Sequence, residues 1–239
     1  MNRPLQIGLL LFPDVTQLDL TGPWEVFART PDTSCHLVWK DLQPVRSDRG
    51  LSVLPTMTFD TCPQLDVICV PGGPGQIALM SDDVTLKFLQ KQATQAQWIT
   101  SVCTGSLVLG AAGLLKGYRA TSHWSSIDQL ALLGADPVSQ RVVRDRNRIS
   151  GAGVTSGIDF ALTLVAEIAG DAVAKAVQLQ MEYDPQPPFT SGSPKTAPPQ
   201  EVEQAKAKMA AFIATRRAAT MRAAQRLQAD QIPDAGNTQ

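Results

Sequence analysis

Histidine is scarce in this sequence: two occur in 239 residues, which excludes a metal centre built on several imidazoles. The four cysteines, at 35, 62, 69 and 103, are scattered with no CxxC pair, so neither a disulfide framework nor a zinc site is indicated. Long apolar runs are missing as well. Residues 5–12 (LQIGLLLF) are too few for a secretory h-region with a cleavage site behind it, and Pro13-Asp14 ends them. Residues 107–115 fall far short of a bilayer span. No charge sign is in excess: the formal net charge is −1, which argues against a chain-wide affinity for nucleic acid or anionic membrane. There is no internal repeat. What remains is 44% hydrophobic and 18% charged residues, the balance of a soluble globular protein, in a chain long enough for a full core. The expectation is a cytoplasmic protein with no nucleic-acid partner, no membrane partner and no metal.

Apolar runs of strand length alternate with amphipathic stretches. Strands are expected at 5–12, 35–40, 65–70, 98–102, 119–124, 138–144 and 148–152, with an extended excursion at 51–59. Helices are expected from about Pro23 in a first turn, at 84–96, after Cys103, at 127–133, 153–169 and 171–181. This alternation predicts an α/β fold: a mostly parallel sheet flanked by helices on both faces, a flavodoxin-like three-layer sandwich. The domain is expected to cover 1–185. Residues 184–199 hold six prolines and read as a loop, and 186–239 as a proline-rich loop and C-terminal helix extending the same domain. That helix, 200–229, carries Val202, Met209, Phe212, Ile213 and Leu227 as a partial apolar stripe, which must be buried against the parent domain or a partner subunit. A homodimer is the expectation. Arg216, Arg217, Arg222 and Arg226 on the same helix read as a solvated face, since no helix-turn-helix pattern surrounds them.

Residues 98–110 (WITSVCTGSLVLG) carry the chemistry. A β-branched apolar strand stops at Cys103, Gly105 follows, and small and aliphatic residues then run at helical spacing. The pattern is a cysteine nucleophile elbow, with Ser101 standing where the hydrolase version has its first Gly. A thiol over a helix N-terminus is expected to have a lowered pKa; the competing reading is a small buried core cysteine. Cys69 reads as a buried strand residue, Cys35 as the start of a strand and Cys62 as a loop residue before Pro63. Ligands on parallel sheets bind beyond the carboxyl ends of the strands, where Pro13-Asp14, Pro71-Gly72-Gly73 and Cys103 all fall. Gly72 and Gly73 can bring backbone N–H groups close to a ligand and, with those after Cys103, form an anion hole. Asp19 reads either as a local helix cap or as a general acid and base opposite the thiol. His123 reads either as a hydrogen-bonded structural residue or as the base of a thiol enzyme, and Glu25 as a solvated or capping acid.

These pieces together, DLTGPWEVF (19–27), VPGGPG (70–75), VCTGSLVLGAAGLL (102–115), ATSHW (120–124) and GVTSGIDFAL (153–162), resemble the ThiJ/PfpI branch of the glutamine-amidotransferase-like superfamily over roughly residues 5–185. Sensor domains of certain AraC-type regulators carry similar strings, but continue into a DNA-binding module. The stand-alone length, the Asp in DLTGP and the Cys-Thr pair are most similar to members of the branch that hydrate isonitriles to N-substituted formamides. By that resemblance Cys103 is the nucleophile, Asp19 the acid/base and Thr104 an essential neighbour, with an isonitrile as substrate and no cofactor. His123 matches a histidine that lies near the elbow in many relatives, whereas isonitrile hydration relies on the Asp. The alternatives are a glyoxalase- or peptidase-like cysteine enzyme, whose members typically set a Glu against the cysteine, and a non-catalytic thiol or ligand sensor.

Overall fold

A computed structural model describes residues 3–229 of the chain. The final ten residues of the expected extension, 230–239, and residues 1–2 lie outside it. The first unit is β1 (Leu5–Leu10), α1 (Gln17–Ala28) and β2 (Thr33–Trp39), followed by the short strands β3 (Val45–Arg46), β4 (Ser52–Val53) and β5 (Met57–Thr58). Next come β6 (Val67–Val70), α2 (Gln76–Leu79), α3 (Asp83–Ala93), β7 (Trp98–Val102) and α4 (Gly105–Ala111). Then follow β8 (Arg119–Ala120), a 3-10 helix (Ile127–Leu133), β9 (Asp136–Pro137), β10 (Val142–Asp145) and β11 (Arg148–Gly151). Three helices close the chain: α5 (Ser156–Ala169), α6 (Asp171–Gln180) and α7 (Pro199–Ala229).

Seven strands form one sheet in the order β10-β11-β7-β6-β1-β2-β5, parallel throughout except for the β10–β11 pair. The apolar runs are continuous because both faces are covered: Ile7, Leu9, Val67, Cys69 and Val70 are fully buried. From β1 the chain steps one way to β2, and from β6 the other way to β7. Right-handed crossovers therefore put α1 and α3 on opposite faces. On the first face α1 packs on α5, with Phe27 and Phe160 meeting edge to face at 6.1 Å. On the second, α3 and α2 pack on α4. The strand order reverses between β1 and β6, and the crevice of a parallel sheet opens at such a switch point. The loops after β1, β6 and β7 all end there.

Several elements depart from the sequence pattern. Helix α1 begins at Gln17, six residues before Pro23, which sits inside it. Proline lacks the N–H that would bond the carbonyl of Asp19, and the helix continues because Leu20, Val26 and Phe27 are wholly buried. The strand expected over 119–124 is only two residues long, because the chain after Ala120 turns toward the elbow: Thr121 N–H donates to Ser150 Oγ at 2.9 Å. The 127–133 helix is of the 3-10 type and stops at Gly134, and α2 was not apparent in the sequence.

The C-terminal helix differs most. It packs on the 3-10 helix, α4 and α2 through Arg216, Ala219, Thr220 and Ala223, all buried. Alanines at this contact let the helices approach closely. Of the expected apolar stripe, Val202, Met209, Ile213 and Leu227 are half-buried and Phe212 is 37% exposed. The solvated basic face is corrected too. Arg216 is 6% exposed and bonds Ser126 Oγ, and Arg226 is half-buried with Nη2 donating to Met80 O at 2.8 Å. Arg217 pairs with Asp128, and Arg222 is exposed.

Candidate active site

Cys103 has φ +57°, a left-handed conformation that costs a non-glycine residue about 1–3 kcal/mol. Its neighbours hold it there. Its N–H donates to Gly151 O at 3.0 Å, and its carbonyl accepts from Ser106 Oγ and Ser122 Oγ, both at 3.1 Å. Gly105 permits the sharp turn: a Cβ at that position would stand 2.0 Å from Val70 O. The elbow inferred from the sequence is thus formed, and the thiol it carries is buried, with Cys103 only 6% exposed.

Asp19 comes to the elbow from the first turn of α1 and is entirely buried. It is not a helix cap. Its Oδ2 accepts the Gly72 N–H at 3.0 Å, and the Cys103 thiol donates to the same carboxyl. Oδ1 has no hydrogen-bond partner. Burial pushes the Asp19 carboxyl up to about 7; the bonds from Cys103 and Gly72 oppose that rise and the nearby Asp48 adds to it. Cys103 moves opposite to expectation. Burial, and then the negative charge of Asp19, raise the thiol well above its ordinary value, outweighing the Thr104 N–H directed at the sulfur and the Arg216 cation. Helix α4 is only seven residues long, and its N-terminus does not outweigh these effects. At neutral pH the Cys103 thiol therefore keeps its proton, while the Asp19 carboxyl is close to half-ionised and able to receive it.

Gly72 and Gly73 act differently from the anion hole expected of them. The Gly72 N–H is taken by Asp19, and the Gly73 N–H donates to Thr104 Oγ1 at 3.2 Å. Both donors are spent on positioning the two side chains beside the thiol. A Cβ on Gly72 would fall 2.6 Å from Thr104 N and 2.8 Å from Asp19 Oδ2, so no other residue fits between them.

His123 lies one residue beyond Ser122 and bonds locally, its Nδ1 2.8 Å from Ser125 Oγ. Burial, and then the cation of Arg216, lower its pKa to about 4, so the ring is neutral. Among the described residues no hydrogen bond joins it to Cys103 or Asp19. It faces instead a cleft of about 450 Å³ walled by 121–124, Ile127, 139–141, 152–155 and 192–195. Among the described residues no cluster of three His, Cys, Asp or Glu side chains is placed to hold a metal ion. Cys69 is buried in β6, and burial raises Cys35 and Cys62 to about 11 each.

Sequence reasoning missed Ser122 and Arg216. Ser122 sits within the ATSHW string but was passed over for its histidine. Arg216 falls at the helical spacing of the buried positions 219, 220 and 223 and the half-buried positions 209, 213 and 227, and a cation at such a position was the available signal.

A model of the DJ-1/PfpI family matches residues 6–167. An isonitrile hydratase from Pseudomonas putida is 60% identical over 223 residues, which cover 93% of this chain and 98% of that protein. The HTH-type transcriptional regulator GbdR of Pseudomonas aeruginosa is 32% identical over 194 residues, 77% of this chain but only 52% of the regulator's length. Among solved structures, a ThiJ/PfpI family protein from Pseudomonas syringae superposes with a TM-score of 0.89 at 50% identity, covering 91% of this chain and 90% of the other. With the elbow, the switch-point crevice and these likenesses in agreement, the chain belongs to the DJ-1/PfpI family.

Proposed function

We propose that this protein is an isonitrile hydratase, a lyase that converts an isonitrile and water into an N-substituted formamide. The observation that carries the reading is a buried carboxyl, titrating near 7, hydrogen-bonded to a buried cysteine thiol. A carboxyl that must act first as base, then acid, then base again needs a pKa close to the working pH.

The isonitrile carbon bears a lone pair and becomes electrophilic once protonated. Asp19 takes the thiol proton and delivers it to that carbon as the Cys103 sulfur bonds to it, giving a thioimidate, R–N=CH–S–Cys103. The carboxylate then takes a proton from water as the water oxygen bonds to the same carbon and passes that proton to the nitrogen, leaving R–NH–CH(OH)–S–Cys103. Collapse breaks the C–S bond, releases R–NH–CHO and returns the proton to sulfur. Thr104, fixed by the Gly73 N–H, stands beside the reacting atoms. The sequence of steps balances without a metal or an organic cofactor.

Incubation of the pure protein with a simple isonitrile should yield the formamide by absorbance and mass spectrometry, and no formamide would refute the reading. We propose further that the protein works as a cytoplasmic homodimer. In support, the four cysteines are free, no helix of the described residues is long and apolar enough to cross a membrane, and Phe212 and Leu179 are exposed apolar side chains. Light scattering tests the dimer, and a mass near the 25.7 kDa of one chain would exclude it.

A further inference from the structure

The C-terminal helix α7 lies outside the segment matched by the family model, which ends at residue 167. It nonetheless delivers a charge to the interior. Arg216 is the one lysine or arginine in the buried class among the described residues. One end of its guanidinium is tied down: Nη1 donates to Ser126 Oγ, and the plane lies 4.5 Å from the Phe212 ring centroid. Its Nε is buried and has no hydrogen-bond partner. A buried cation with an unmatched donor needs a negative charge nearby.

The charge it meets is at the elbow. Ser126 N–H donates to His123 O at 2.8 Å, and Ser122 Oγ donates to Cys103 O, so the short loop holding Arg216 is the one that braces the nucleophile. Arg216 lies within electrostatic reach of both Cys103 and His123. The groups around it leave that cation uncompensated. His123 is neutral, Asp128 on the 3-10 helix pairs with Arg217, Gln129 bonds Thr220, and α2 and α4 contain no charged residue. Asp19, with Asp48 nearby, is the acid that meets the thiol.

We propose that Arg216 is an electrostatic positioning residue for Cys103: its cation, carried in by the C-terminal helix, favours negative charge on the sulfur and so eases transfer of the thiol proton to Asp19. Burial and then Asp19 oppose sulfur ionisation, since a charge loses its hydration in a buried site and two negative charges there repel. A buried cation within reach of the sulfur offsets part of that opposition. In its kinetic arm the proposal rests on the isonitrile reading; its titration arm does not.

The test compares Arg216→Met, Arg216→Lys and Ser126→Ala with the parent, each paired with the same protein carrying Cys103→Ser as a blank. The difference in thiolate absorbance at 240 nm follows Cys103 through pH, and kcat and KM are measured from pH 6 to 9. Arg216→Met should move the Cys103 midpoint up by about one pH unit, which is tenfold less thiolate at a given pH below it. Its kcat should fall about tenfold with KM nearly unchanged, and Arg216→Lys, which keeps the charge, should recover most of both. A folded Arg216→Met whose titration superposes on that of the parent overturns the proposal. Should Arg216→Met not fold, Ser126→Ala decides: removing the hydroxyl that tethers the guanidinium should shift the midpoint the same way by less, and an unmoved midpoint overturns the proposal. A parent that makes no formamide while the midpoint moves as expected refutes the isonitrile reading and supports the Arg216–Cys103 coupling.

Discussion

Replacing Asp19 by Asn separates proton transfer from packing, because the two residues are nearly isosteric and the Asn carbonyl can still accept the Gly72 N–H. The carboxyl titrates near 7 in the folded protein against an ordinary 3.8. A raised folded-state pKa means that stability is fully present below the unfolded value and is lost as pH rises through the folded one. At pH 8 the buried carboxylate therefore costs the parent about 4 kcal/mol relative to pH 4. Asn escapes that cost but sets an amide N–H where Oδ1 now lies unpartnered, at a cost of about 1–3 kcal/mol at every pH. The variant should thus be less stable than the parent at pH 4 and more stable at pH 8, by about 1–3 kcal/mol in each direction. Turnover should fall about 10²-fold or more at both ends, since no titratable proton remains on the carboxyl side. Urea melts at intervals between pH 4 and 8, with formamide production measured on the same samples, check both. Parallel stability curves, or a variant that keeps more than a tenth of the activity, would refute the reasoning.

Cys103→Ala should abolish turnover while the chain still folds, because the change removes only a sulfur; isonitrile hydration above background by this variant would rule out the thioimidate. Thr104→Val removes the acceptor of the buried Gly73 N–H, so it should lower stability by about 1–3 kcal/mol in a denaturant melt, with kcat falling in the same preparation. His123→Asn should cost far less activity than Asp19→Asn at pH 7, as a ring already neutral there has no proton to give; the reverse order in a rate comparison would point to a Cys–His enzyme.

The sheet was legible because its strands are buried on both faces, and a short apolar run closed by proline or glycine is an unambiguous signal: 5–12, 65–70 and 98–102 all held strands. The elbow was legible for a local reason, since the requirement for Gly105 two positions after Cys103 is written in consecutive residues. The start of α1 was not, because Pro23 imitates a first turn while the true start depends on burial of Leu20 and Phe27 by distant α5. The ionisation of the thiol was misjudged for a similar reason. Proximity to a helix start is visible in sequence, but desolvation and the arrival of Asp19 from another loop are tertiary facts. Gly72 and Gly73 were placed correctly at the crevice, yet sequence could not tell that their N–H groups were already engaged. Arg216 stayed hidden because charged helical residues are usually solvated, and only the packing of α7 on the 3-10 helix takes this one out of water.

The braced trio of Asp19, Thr104 and Cys103 is fastened to strand ends through backbone N–H groups, while the cleft of about 450 Å³ that His123 lines is walled by four separate stretches of chain. The proposed catalytic trio and the lining of this cleft thus come from different parts of the chain. None of the trio lines that cleft, so an exchange at Trp124, Ile127, Val154 or Lys195 reshapes its wall without touching the three.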